Sequence, residues 1–198
     1  MAEEPADGQW SSMRISNWEP PAAVSASGDN SRPAASVAHR EIVFDADEFE
    51  QTAPGLRGEE WKCIPGLGHS GNAIAVFPTT VAPIPAGGAI AQAPQVAYAV
   101  DFERAGEFRL TVELLPTHAL SGSQLRFAIA LGDESPRPVV MDVNDGGPEW
   151  ALGVLAGSRL VHAPLHVASP GRHVLHIFGV DAGVVIDRLR IDLQTSQI

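Results

Sequence analysis

The chain has 198 residues, 44% of them hydrophobic, which is enough for one domain with a core of its own. Its formal net charge of -11 and pI near 4.9 leave it without the Lys and Arg clusters that bind a phosphate backbone or an anionic membrane surface. No apolar run approaches the roughly 20 residues that cross a bilayer, so the sequence reads as that of a soluble protein.

Residues 1 to 40 carry Pro5, Pro20, Pro21 and Pro33, with Ser and Ala filling the stretch from Ala22 to Ala38, and show no sustained period. Such a segment buries too little apolar surface to offset its ordering entropy and is expected to be an extended or disordered lead-in. Trp10, Met13 and Trp18 are its exceptions, since large side chains in a linker usually dock on something. The opening Met1-Ala2-Glu3-Glu4-Pro5 is acidic with no apolar stretch behind it, unlike a secretory signal peptide.

From Glu41 onward the pattern changes to short apolar runs bounded by Gly, Pro and Asp. Strands are expected at Glu41 to Ala46, Glu60 to Ile64, Ala73 to Phe77, Val96 to Glu103 and Glu107 to Leu114. Further strands are expected at Gln124 to Leu131, Pro138 to Val143, Arg159 to Val167, Arg172 to Gly179 and Val184 to Leu193. Turn signals between them include Arg104-Ala105-Gly106, Ser121-Gly122-Ser123, Asn144-Asp145-Gly146-Gly147 and Ser169-Pro170-Gly171. Alternation is clearest in Phe108, Leu110, Val112 and Leu114, and again in Val174, His176 and Phe178, each set expected to share a face. About ten short strands without a three-turn helix, in a chain with 19 Gly and 16 Pro, indicate an all-β fold. The expected architecture is an antiparallel β-sandwich over residues 41–195. The single Cys63 excludes an intrachain disulfide and reads as a small buried residue on a strand.

Several chemical motifs fail on physical grounds. Gly66-Leu67-Gly68-His69-Ser70-Gly71 fits G-x-G-x-x-G, but Asn72 to Phe77 then reads as a strand ended by Pro78. A dinucleotide site needs a helix opening there, so the glycines suit a tight strand connection instead. His162 and His166 lie about 13 Å apart on an extended strand, and His173 and His176 fall on opposite faces, so neither pair can share an ion. No H-E-x-x-H or G-x-S-x-G occurs, and Ser70 leads into a strand rather than the helix of a nucleophile elbow. With 24 acidic residues, no carboxylate pair can be chosen as a glycosidase acid and base without a fold.

One series of motifs points to a family. It starts with Gly8, Trp10, Met13, Trp18 and Pro21, then Glu41-Ile42-Val43-Phe44-Asp45-Ala46-Asp47-Glu48-Phe49. It continues through Trp61-Lys62-Cys63-Ile64-Pro65-Gly66-Leu67-Gly68-His69-Ser70-Gly71, Val76-Phe77-Pro78, Leu115-Pro116-Thr117 and Arg126-Phe127-Ala128-Ile129. It closes with Trp150, Pro170-Gly171-Arg172-His173-Val174-Leu175 and Val180-Asp181-Ala182-Gly183-Val184-Val185-Ile186-Asp187. Over roughly four-fifths of the chain this resembles the C-terminal portion of glycoside hydrolase family 115, the xylan α-glucuronidases. One departure is Ala182, where the family usually has proline.

The resemblance implies a jelly-roll-like sandwich similar to carbohydrate-binding modules, without the upstream barrel that holds the family's catalytic carboxylates. The chain alone is then no enzyme, and is expected to be a fragment or split gene product, although family members are often exported. The implied role is an accessory module that packs on a glycoside hydrolase catalytic domain or a homodimer mate and helps face plant glucuronoxylan. An independent carbohydrate-binding module is the alternative. Its sugar-contact candidates are Trp61, His69 and Trp150, though large rings such as Trp61 and Trp150 more often supply core burial. No cofactor is required. Similarity to binding modules of families 6 and 35 implies one structural calcium, with Asp45, Asp47 and Asp187 as its ligands.

Overall fold

A computed structural model of the chain describes residues 41–85, 89–120, 122–143 and 147–193. The expectations for the lead-in, including Trp10, Met13 and Trp18, lie outside the described residues. Eleven strands and one α-helix are described: β1 (Ile42–Asp45), β2 (Gln51–Ala53), β3 (Glu60–Pro65), β4 (Asn72–Phe77), β5 (Gln95–Phe102), β6 (Gly106–Leu114), β7 (Gln124–Leu131), β8 (Arg137–Asp142), α1 (Pro148–Ala156), β9 (Arg159–Val167), β10 (Gly171–Gly179) and β11 (Val185–Leu193).

All the strand pairs are antiparallel, and they form two sheets. One runs β3-β4-β11-β6-β9 with β1 also on β11, and the other β2-β5-β10-β7-β8. Strand β11 is the hub of the first sheet. Along one edge its start pairs with β4, Ile186 opposite Ile74, and its remainder pairs with β1, Asp45 opposite Arg188. Its other edge pairs with β6, where the register shifts between Ile186 and Arg188 and leaves Asp187 at a bulge. A bulge bends the strand and re-aims one side chain, and here that side chain is the candidate ligand Asp187.

The core lies between the sheets, as period-2 alternation requires. Phe108, Leu110, Val112 and Leu114 of β6 are all buried and meet Leu125, Phe127 and Ile129 of β7 in one cluster. Strand β10 has the faces expected of it, with Val174, His176 and Phe178 on one side and Leu175 and Ile177 on the other. Leu175 and Ile177 fill that core, while Val174 is exposed and Phe178 is buried in a second cluster with Ala93, Ala128, Ala130 and Val180. Ile84 and Ile90, from the segment joining β4 to β5, pack on this second cluster, so both faces of the sheet are apolar at that end. The expectation for Cys63 is corrected: it is exposed on the edge strand β3, whereas Trp61 of that strand is buried.

The closing turn that contains Ala182 is held by Asp181. Asp181 accepts from the Arg126 amide at 2.8 Å and from its guanidinium at 2.8 and 3.0 Å, and the Val184 amide donates to the Asp181 carbonyl. Helix α1 was not expected. Pro148 opens it at the first turn and Gly157, left-handed at φ 68°, ends it.

Candidate functional site

The glycine-rich segment is the β3–β4 hairpin connection, as the strand reading required. Gly66, Gly68 and Gly71 take φ of 78°, 85° and 94°, and the Gly66 amide donates to the Gly71 carbonyl at 2.7 Å. This tight path turns the His69 and Ser70 amides toward β11. Asp187 Oδ2 accepts from the His69 amide at 2.7 Å, and Oδ1 accepts from the Ser70 amide at 3.1 Å and the Ser70 hydroxyl at 2.6 Å. The carboxylate has no exposed surface. Burial alone would push its pKa up, yet the Ser70 hydroxyl and the two amides outweigh that and hold it below the usual aspartate range. A Cβ on Gly68 would run into this carboxylate, so the position requires glycine for space as well as for φ.

The His69 side chain reaches the outer face of the first sheet. Its Nδ1 lies 3.0 Å from Glu113 Oε1, and its ring lies against Gly157 at the end of α1. Glu113 alternates with the core residues of β6, where a carboxylate would ordinarily be solvated, but it is only 6% exposed. Arg190 Nη2 stands 3.4 Å from its other oxygen. His69, Glu113 and Asp187 thus come together from a loop, β6 and β11, with ligand-type atoms all within 4.8 Å of one another.

The six residues singled out from the sequence fare differently. Only His69 and Asp187 belong to this group. Asp45 accepts from Arg188 Nε at 3.0 Å, and Asp47 from the side-chain Nδ2 of Asn72 at 2.9 Å. Asp45 is engaged by the Arg188 guanidinium and Asp47 by the Asn72 side chain, and neither belongs to the group formed by His69, Glu113 and Asp187. What does hold is their placement, since the first and last strands are neighbours. Trp61 is buried with Nε1 donating to the Pro94 carbonyl at 3.0 Å, so it offers no ring face to a sugar. Trp150 lies on α1, half-buried, with its ring 5.2 Å from that of His118 and its Nε1 buried without a partner among the described residues.

Glu113 escaped the sequence reading because its neighbours in space, His69 and Arg190, are distant in the chain. The arrangement does not resemble a nucleophile site. Ser70 donates to Asp187 rather than to an imidazole, and His69 is paired with Glu113 instead of a hydroxyl.

Two antiparallel sheets with this order define a carbohydrate-binding-module-like β-sandwich. The C-terminal family 6 module of LamC, a laminarinase of Zobellia galactanivorans, is similar in fold at a TM-score of 0.50 and 13% identity, covering 77% of this chain and 99% of that one. The chain belongs to glycosyl hydrolase family 115: residues 38–197 match the model of that family's C-terminal domain. The fold of the family 115 4-O-methyl-α-glucuronidase BtGH115A, which has specificity for decorated arabinogalactans, matches at a TM-score of 0.60 and 19% identity. That match covers 86% of this chain but 19% of the enzyme, so the chain spans about a fifth of that enzyme's length. No curated protein matches the chain. The domain is the C-terminal part of a family 115 enzyme and not its catalytic domain.

Proposed function

We propose that the chain serves as a non-catalytic accessory module that docks on the catalytic portion of a family 115 α-glucuronidase and supports its polysaccharide-facing surface. The observation that carries this reading is the outer face of α1. Leu152, Val154 and Leu155 are exposed there, Leu155 by 85%, and Leu160 of β9 is exposed a few residues on. Gly153 is the helix's sole fully buried residue and Trp150 is half-buried, so Leu152, Val154 and Leu155 lie on the outside. Contiguous exposed apolar side chains mark docking surfaces. The occupant of choice is the remainder of the enzyme, because the similar glucuronidase chain extends well beyond the matched fifth.

The aromatic inventory favours docking over sugar binding. Among the described residues, none of the large exposed apolar side chains is aromatic, whereas independent binding modules stack rings on sugars. The test mixes the purified chain with a family 115 catalytic portion truncated before its own C-terminal domain. A one-to-one complex is expected for the wild type and its loss for Leu155→Glu with unchanged melting temperature. A complex indifferent to Leu155→Glu would refute the α1 surface. Self-association of the chain alone that Leu155→Glu abolishes would assign the surface to a second copy.

A further inference from the structure

We infer that His69, Glu113 and Asp187 form a site for one divalent transition-metal ion of the zinc class. The donor set, one imidazole nitrogen and two carboxylate oxygens, suits zinc or cobalt and not calcium, which prefers an all-oxygen shell of higher number. The three groups are fixed by three different elements, so their meeting is a product of the fold rather than of neighbouring positions in sequence. Both carboxylates are more than nine-tenths buried, at 6% exposure for Glu113 and 0% for Asp187.

The bonds they already make leave ligand positions open. Asp187 Oδ1 takes two donors from Ser70, whereas Oδ2 takes only the His69 amide among the described residues. Glu113 Oε2 faces Arg190 at 3.4 Å, which leaves Oε1 on the His69 side. The Ser70 and Arg190 contacts are thus outer-shell partners that orient each carboxylate, a support metal sites commonly require. The span of 4.8 Å exceeds the donor separation around an ion with bonds of about 2.0 to 2.2 Å, so the set must contract on binding. The member with room to adjust its rotamer is His69, whose side chain is 54% exposed on a hairpin connection. Its exposure also leaves the remaining coordination positions open to water. An ion here would pin the β3–β4 connection to β6 and β11.

The experiment strips the full chain with chelator and titrates it with Co²⁺, read by visible absorption, and with Zn²⁺, read by calorimetry and melting temperature. One equivalent per chain, visible bands of a nitrogen- and oxygen-ligated cobalt, and a rise in melting temperature with Zn²⁺ but not with Ca²⁺ are expected. His69→Ala, a change on an exposed loop side chain, should lose the bands and the thermal shift. His162→Ala, whose imidazole bonds Thr111 on the same sheet face, should keep both. Glu113→Gln should lose them as well, with its metal-free melting curve reporting whether it is folded. Absence of saturable one-to-one binding, or binding that survives His69→Ala, would overturn the site.

Discussion

At the scale of single residues, Asp187 joins the last strand to the β3–β4 connection. Removing its carboxylate in Asp187→Ala takes the acceptor from two part-buried amides, at up to about 1 to 3 kcal/mol for each group left unsatisfied, while the Ser70 hydroxyl keeps the Asn72 carbonyl at 3.2 Å. A substantial loss of stability in denaturant unfolding is the expected outcome. Its pH dependence has a defined sign. The folded carboxyl has a pKa below the unfolded value of about 3.9, so its contribution is complete above that pH and is lost as pH falls through the lower folded value. Asp187→Asn should therefore be less stable at neutral pH and show a shallower decline below about pH 4. Equal slopes for the two proteins in acid would refute this role. Gly68→Ala should destabilise too, since it combines a left-handed φ of 85° with collision against that carboxylate. Asp187 was legible in the sequence as a noteworthy carboxylate, but its work was not. The donors lie 117 and 118 positions earlier, and a bulge rather than a pattern aims the side chain at them.

Elements were read well where alternation and turn residues agree. β7 and β9 fall at the expected residues, and the other expected strands are displaced by a residue or two at their ends. Two elements were missed for physical reasons. β2 is three residues long and exists through its pairing with β5, which no local pattern announces. α1 is nine residues with Gly153 inside it and no polar face to reveal a helical period, although Pro148 and Gly157 are the punctuation that could have marked it. The faces of β10 alternate as read, and both are apolar at one end because the segment carrying Ile84 and Ile90 covers the outer one. The two surfaces should respond differently to substitution. Ile177→Ala, at a fully buried site, should cost about 2 to 5 kcal/mol in denaturant unfolding. Leu155→Glu should change stability by no more than about 0.5 kcal/mol. A large loss from Leu155→Glu would mean that α1 packs on its own domain.

On the scale of the whole molecule, the sandwich and the family were both accessible from sequence, through strand spacing and a long ordered series of motifs. The convergence of His69, Glu113 and Asp187 was not, because it depends on how β11 is threaded between β4 and β6. Nothing in that convergence supplies a nucleophile and base in contact, and the exposed apolar side chains of α1 are the surface proposed for docking. The proposed role is that this domain supports an α-glucuronidase without performing its reaction. The most direct measurement is release of glucuronic acid from glucuronoxylan and its oligosaccharides by the purified chain alone. No release is expected at any concentration of the chain or with any metal supplement. Turnover that co-purifies with the chain and disappears on substitution of one of its own carboxylates would contradict it.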